Sequence, residues 1–259
     1  LEFKIVNGDS LLTIQVDLFN QDIIKKIEKV KIDYFSETDF KKAKKLRNKL
    51  KELFSKIYKG ESGFDYNINF SEIVDKGGFD VIISNPPYVR MQWFDDIYKN
   101  KKKKEKYKTY EATGDVYCLF IERAINLFKD NGIFGFIVSN KWMKNKYGLS
   151  LRKLIKNETQ IKHFINFKGE KIFKSAAVDT SILILKKTIL PNNIINYSEN
   201  LSSNIYKFKQ SDLDVNRFSF YDDIQLNLKI TEPFGPFPIS PLTYSKKKYQ
   251  NSPSESNPG

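Results

Sequence analysis

"FDVIISNPPYVR", Phe79 to Arg90, is the stretch on which the reading of the fold turns. Its first half, "FDVII", is a continuous apolar run, the pattern of a strand covered on both faces. Its second half is a polar knot of Asn85, Pro86, Pro87 and Tyr88. A chain leaving a strand can turn with many sequences, so an amide, two imides and a phenol in a row call for a chemical reason.

Downstream, Met91 to Glu111 is irregular and holds a lysine block, Lys101, Lys102, Lys103 and Lys104. A helix follows, with Thr113 or Asp115 as its N-cap. Val116, Phe120, Ala124 and Leu127 make one apolar stripe, and Tyr117, Ile121, Ile125 and Phe128 a second, so this helix is largely buried. "KDNG" ends it, and "IFGFIV", Ile133 to Val138, is another fully apolar strand. "YGLSLRKLIKN" reads as a helix, and "IKHFINF" and "VDTSILILKK" as strands. Upstream, "FKIV" (Phe3 to Val6) reads as a short strand ending in "NGDS". The chain from about Gln21 to Tyr58 reads as one or two amphipathic helices with lysines outward. Strands alternating with helices predict an α/β fold on a mostly parallel, doubly wound sheet. Beyond Leu190 the pattern dissolves, and the Pro- and Ser-rich end, 246–259, is expected to be a disordered tail.

The 259 residues, 40% hydrophobic, suffice for one sizeable core. Forty-four Lys and Arg against 31 Asp and Glu give +13, a balance that suits a polyanionic partner such as nucleic acid, although AT-rich codons also inflate lysine. The one cysteine, Cys118, excludes an intrachain disulfide and fits a reducing cytoplasm. With one histidine besides, a Cys/His zinc site is excluded by count, and no metal is expected. His163, among apolar strand residues, reads as structural. No apolar stretch approaches the ~20 residues of a membrane span. No signal-peptide pattern is visible, so a cytoplasmic protein without membrane contact is expected. The first residue is Leu, and a fragment of a longer protein is expected.

In an open α/β sheet, ligands sit at the C-terminal ends of the strands, where Asn85 to Tyr88 fall. The Asn85 side-chain oxygen and the Pro86 carbonyl are acceptors, stiffened by prolines that have fixed φ and no N–H. Tyr88 adds a flat face. Two acceptors and a ring suit a planar aromatic amine, whose lone pair is delocalised until its N–H bonds are gripped. The acceptors stabilise the positive charge that develops as the nitrogen attacks an electrophile, and they fix its geometry. No histidine or cysteine is needed. The plain alternative is a tight strand-to-helix turn.

"NPPY" after a strand resembles the catalytic motif of S-adenosylmethionine-dependent N6-adenine DNA methyltransferases; similar motifs serve RNA and protein-glutamine methyltransferases. "GDVYCLFIERAINLFKDNGIFGFIVSNKWMKNKYGLSLRKLI" and "INFKGEKIFKSAAVDTSILILKK" extend the resemblance to the methyltransferase region of large single-chain bacterial restriction–modification enzymes, over Phe3 to Lys187. The resemblance implies a Rossmann-like methyltransferase sheet with S-adenosylmethionine as cofactor and DNA as partner. It implies that Asn85 and the Pro86 carbonyl hold the target amine and that Tyr88 and Phe173 stack on a flipped adenine. Asp9, with Ser10 beside it, Asn85 and Phe120 would meet the cofactor. Phe173 and Phe120 also fit ordinary core positions, and Asp9 an ordinary turn. Arg90 and Lys101 to Lys104 are candidates for DNA phosphates.

The family's glycine-rich cofactor turn has no counterpart, since no Gly-x-Gly occurs. The sheet is therefore expected to be incomplete in its N-terminal half, with one edge unpaired. Alone, the stretch is expected to bind cofactor weakly or not at all and to be inactive. The expected layout is a catalytic part over 1–190 with a helical insert over about 20–60. Residues 191–245 would be a linker or the start of a target-recognition domain, and a specificity or target-recognition region on the same or another chain would be a partner. Cytosine C5 chemistry is disfavoured because Cys118 lies inside a helix. Adenine over cytosine N4 rests on Asn at the first motif position. A non-catalytic module that binds DNA or a partner remains the alternative from another class.

Overall fold

A computed structural model describes residues 2–11, 18–59, 64–104, 107–170, 172–173 and 179–220 of the protein. In chain order the elements are α1 (Leu18–Ser36), α2 (Phe40–Ile57), the single turns α3 (Tyr66–Asn69) and α4 (Ser71–Val74), β1 (Phe79–Ser84), α5 (Asp96–Lys104), α6 (Tyr117–Leu127), β2 (Phe128–Ser139), α7 (Leu149–Glu158), β3 (Gln160–Asn166), β4 (Thr180–Lys186), β5 (Ile194–Ser198) and β6 (Tyr206–Lys209). No described helix is long and apolar enough to cross a membrane.

The strands form one sheet in the order β1-β2-β4-β3-β5-β6. β1, β2, β3 and β5 run one way, and β4 and β6 oppose them, so the sheet of this mixed α/β fold is mostly parallel. Period-two burial sets its faces. Phe134, Phe136 and Val138 of β2 and Leu183 and Leu185 of β4 point to one side. There they pack with Ile121, Ala124 and Ile125 of α6 and Leu151, Leu154 and Ile155 of α7. Helical cover thus lies on this face among the described residues, and the doubly wound expectation is met on one side of the sheet. On the other side Val81 and Ile83 of β1 are 55% and 82% exposed. β1 is also the sheet's edge, and no described strand pairs with its outer side.

The helical insert is a hairpin, α1 against α2, with its own core of Ile27, Val30, Leu50, Leu53 and Ile57. Asp39 caps α2 by accepting from the Lys42 N–H at 2.8 Å. Lys31, buried, donates to Glu72 at 2.7 Å and to the Asn69 carbonyl at 2.6 Å, which ties the hairpin to α3 and α4.

Several expectations need correction. Phe3 to Val6 is not a strand: only an isolated Glu2–Ile5 bridge forms, and Phe3 has φ 66°. The Phe3 ring packs on Tyr34 and Phe54 at 5.6 and 5.9 Å, so burial against the hairpin sets the backbone there. "KDNG" is absorbed into β2, which begins directly after α6; Asn131 takes φ 64°. The N-cap of α6 is Val116, without a side-chain bond, and Asp115 serves elsewhere. A helix, α5, occupies part of the stretch read as irregular. The chain does not dissolve after Leu190. β5 and β6 continue the same sheet, so a boundary at 190 falls within it. Their polar flanks hide them, yet those groups are used: Asn193 Nδ2 donates to the Ile161 carbonyl at 2.9 Å and to Gln210 Oε1 at 2.7 Å. Residues 221–245 and the tail 246–259 lie outside the described residues.

Gly78 feeds the chain into β1 with φ +115°, and a Cβ there would sit 2.3 Å from the Leu127 carbonyl oxygen. Gly78→Ala is expected to lower stability by about 1–3 kcal/mol from backbone strain. The measurement is a shift of the denaturant midpoint at constant slope. Gly135→Ala, with no atom within 4 Å of the new Cβ, is expected to be neutral or to stabilise by up to ~1 kcal/mol.

Candidate active site

β1 and β2 pair in parallel until Ser84 meets Phe136. The chain then leaves the sheet. Asn85 is exposed, and its side chain makes no hydrogen bond to a described residue. Pro86 is buried and Pro87 exposed, so the imide pair anchors the turn from beneath and leaves the amide outward. Val116 N–H donates to the Val89 carbonyl at 2.9 Å, and Met91 N–H to the Gly114 carbonyl at 2.8 Å, around an Arg90–Asp115 bridge. The turn is therefore held on one side by β1 and on the other by the "GDV" segment before α6.

Tyr88 is half-buried and donates its hydroxyl to the Ile137 carbonyl at 3.1 Å. Burial pushes its pKa up to about 12, so it stays a neutral phenol. Its ring meets Tyr117 at 6.2 Å and Phe173 at 6.4 Å, both edge-on, at 79° and 72°. The structure thus brings Tyr88 and Phe173 together, but as a T-shaped pair rather than as parallel faces around an open slot. Behind Tyr88, the Tyr147 hydroxyl donates to Asp115 Oδ2 at 2.6 Å and lies 2.9 Å from the Tyr117 hydroxyl. Burial raises the pKa of both tyrosines above the ordinary phenol value.

Ser10 and Phe120 line one groove of about 290 Å³ that runs along β1 to Ser84, next to Asn85. Asp9 does not line it. Its Oδ1 accepts from the Leu11 N–H at 2.9 Å, which is the turn-forming role. Arg123 borders the same groove. Its guanidinium lies 5.5 Å from the Tyr66 ring centroid, and its buried Nε and Nη2 have no hydrogen-bond partner.

Arg123 and its neighbour Glu122 escaped the sequence reading. Glu122, 4% exposed, accepts from the Lys108 N–H at 2.9 Å and from the Thr109 N–H and hydroxyl at 2.8 and 2.7 Å. It thereby fixes the loop from which the Tyr107 hydroxyl reaches the Leu11 carbonyl at 2.9 Å. The available signal was two successive charges inside a helix with two apolar stripes, since buried charges need partners.

Arg90 is exposed beside the turn. Lys101 to Lys104 belong to α5, and their side chains lie outside those described. His163 sits mid-strand in β3, paired with Ile184 and Asn196, away from the turn; burial lowers its pKa. Cys118 is buried in α6, and burial raises its thiol pKa well above the ordinary range. Among the described residues no cluster of His, Cys, Asp and Glu is arranged to hold a metal ion.

Residues 10–173, more than half of the chain, match the Eco57I restriction-modification methylase family. Relatives include the type II restriction enzyme and methyltransferase RM.Eco57I of Escherichia coli, 35% identical over 116 residues, which are 42% of this chain and 11% of that protein. The type II methyltransferase M.XhoI of Xanthomonas vasicola is 33% identical over 97 residues, 38% of this chain and 18% of that one. Only a minor part of either relative's length is therefore represented. Among solved structures, the type IIG restriction endonuclease BpuSI aligns over 56% of this chain and 21% of its own, with a TM-score of 0.44 and 16% identity. With a match that begins at Ser10, beside the groove, and ends at Phe173, beside Tyr88, the chain belongs to the Eco57I restriction-modification methylase family.

Proposed function

We propose that this chain carries the catalytic face of a restriction–modification DNA methyltransferase that acts on the N6 amine of adenine. The observation that carries the reading is the turn at the end of β1. Asn85 presents an exposed, uncommitted amide, Pro86 is buried beneath it, and Tyr88 stands next to it, pinned to β2.

The Asn85 Oδ1 and the Pro86 carbonyl each accept one N–H of the target amine, which turns its lone pair away from the ring and toward the groove. Positive charge on the nitrogen grows as the new bond forms, and the two acceptors stabilise it. The surplus proton leaves to water once the amine is alkylated, so no side chain has to act as a strong base. Tyr88 supplies a stacking face for the extruded base, and Phe173 the second. Because the two rings now meet edge-on, one of them must rotate when a base enters.

S-adenosylmethionine would supply an electrophilic methyl group from the groove. Phe120 offers a ring face for a purine, and Ser10 and the unpaired Arg123 nitrogens offer donors to its acceptors, so the groove's chemistry fits. Asp9 would join through a carboxylate whose Oδ1 also accepts from the Leu11 N–H. The exposed β1 edge is the place for the strands and glycine-rich turn that complete the cofactor site, and choice of target sequence would belong to a recognition region on this or another chain. A cytoplasmic setting follows from this function.

The decisive test is methyl transfer to unmodified DNA, with labelled S-adenosylmethionine, by the chain and by the complete product of its reading frame. Asn85→Ala is expected to cut transfer to adenine by about a hundred- to a thousandfold while DNA affinity is kept. Transfer to RNA or to protein glutamine instead would sink the DNA reading. Tyr88→Ala should lose transfer, whereas Tyr88→Phe, which keeps the ring but removes the bond to the Ile137 carbonyl, should lower it by about tenfold.

The single-turnover rate should also be flat from roughly pH 6.5 to 9. The Tyr88 pKa is raised, so its phenol keeps its proton throughout that range. His163, whose pKa is lowered by burial, pairs within β3 away from the turn and takes no part in the reaction. A titration within the window would reveal a base that this mechanism lacks.

A further inference from the structure

A second cleft, of about 620 Å³, opens at the same end of the sheet as Asn85. It lies between the 3-10 turn Asn140–Met143 after β2, the connection from β3 to β4, and the segment around Arg217. Lys141, Lys144, Lys168 and Arg217 line it, against one carboxylate, Asp179. Lys168 is paired with Glu199. Lys141, Lys144 and Arg217 are exposed and form no salt bridge with a described residue.

Like charges on facing loops repel, so something must hold the lips together. That member is Arg152 of α7, 1% exposed. Its Nη1 donates to the Trp142 carbonyl and, at 2.9 Å, to the Asn145 carbonyl, on the lip that carries Lys141 and Lys144. Its Nε and Nη2 donate to the Val215 and Asn216 carbonyls at 2.6 and 2.9 Å, on the lip that carries Arg217. The Phe218 N–H adds a bond to the Met143 carbonyl at 3.0 Å. A Cβ on Gly148 would meet the Trp142 carbonyl at 2.0 Å, so only glycine leaves room for this packing. The fold thus places a buried cation, held by four carbonyl oxygens and with the Asp214 carboxylate near enough to act on it, beneath three exposed ones.

The cleft is joined to the catalytic turn through both of its loops. Tyr88 is bonded to Ile137, two residues before Ser139, whose hydroxyl accepts from the Lys141 N–H at 3.3 Å. Phe173 lies in the same β3–β4 connection that supplies Lys168 and Asp179. Asn140 N–H donates to the Asp179 carbonyl at 3.0 Å, and Asn140 Nδ2 to Asn166 Oδ1 at 2.8 Å, so the two loops are tied at the cleft floor.

We infer that this cleft grips the phosphodiester backbone of the DNA strand beside the extruded base, with Lys141, Lys144 and Arg217 as the phosphate contacts. The inference rests on the DNA reading above and names a contact surface separate from Arg90 and the Lys101 to Lys104 block. Phosphate contacts position a duplex without reading its sequence, which is what a flipping site needs from the residues around it.

The test is a fluorescence-anisotropy titration of the full chain with an unmodified mixed-sequence duplex over a series of salt concentrations. Each phosphate contact contributes about 0.9 to the slope of log affinity against log salt. The triple variant Lys141→Ala, Lys144→Ala, Arg217→Ala is expected to flatten that slope by about two to three with an unchanged thermal melt. A matched triple on the outer face of α2, Lys41→Ala, Lys44→Ala, Lys49→Ala, is expected to leave the slope nearly as steep as in the parent. A steep parent slope that the cleft triple does not change, or one that only the α2 triple flattens, overturns the cleft. A parent chain with no salt-dependent DNA binding overturns the DNA reading itself.

Discussion

The active face depends on a single ladder that stops short. β1 pairs with β2 only as far as Ser84 and Phe136, one residue before Ile137. The Ile137 carbonyl is then taken by the Tyr88 hydroxyl at 3.1 Å. A side chain from the departing segment stands in for the next rung of the sheet, satisfying a carbonyl that would otherwise be left without one. This fixes how far the turn can swing from β2, and with it where Asn85 points. The two prolines remove the N–H groups that would let the turn be pulled back into the ladder. On the proposed function the tyrosine would have two duties, one to the sheet and one to a base, and they use different parts of the residue: the hydroxyl and the ring face.

β2 is suited to this role because both of its edges are occupied. β4 runs antiparallel along it from Ile133 to Ser139, beyond the point where β1 has left. The strand is thus held straight past the catalytic turn and delivers Asn140 and Lys141 to the neighbouring cleft. Its buried alternation, Phe134, Phe136 and Val138, locks the register against α6, since a one-residue slip would turn every one of those side chains outward. α6 carries Phe120 and Arg123 to the groove on the same helical spacing that buries Ala124 and Leu127. Packing and site are therefore not separable in this helix.

The central strands, the hairpin insert and the turn were legible because each is carried by local pattern: long apolar runs, helical spacing, consecutive prolines. What escaped was carried by distance. Asp115 looked like a helix cap and instead receives the Tyr147 hydroxyl from 32 residues away. β5 and β6 are short and polar-flanked, and only the pairing of β5 with β3 and of β6 with β5 makes them strands. Asp9 offered a carboxylate at a motif position, and its Oδ1 also forms a local turn by accepting from the Leu11 N–H, a bond that sequence alone does not show. Arg152 lies in the stretch read simply as a helix, "YGLSLRKLIKN". No local pattern announces that four carbonyls from two distant segments converge on it.

Arg152 also bears on why so basic a surface is compatible with folding here. A buried guanidinium is costly to desolvate, and desolvation lowers its pKa against the opposing pull of the Asp214 carboxylate. Four carbonyl bonds offset that cost while leaving the positive charge in place. The sheet end that holds the catalytic turn is thereby kept electropositive from below as well as from the rim. On the proposed function, that field would act on the phosphates while the neutral Asn85, Pro86 and Tyr88 act on the base. The electrostatics would then be divided: charge around the mouth, dipoles at the reacting nitrogen. In that mechanism a cation placed at the turn itself would oppose the positive charge that develops on the amine, which is consistent with an amide and an imide carbonyl in that position.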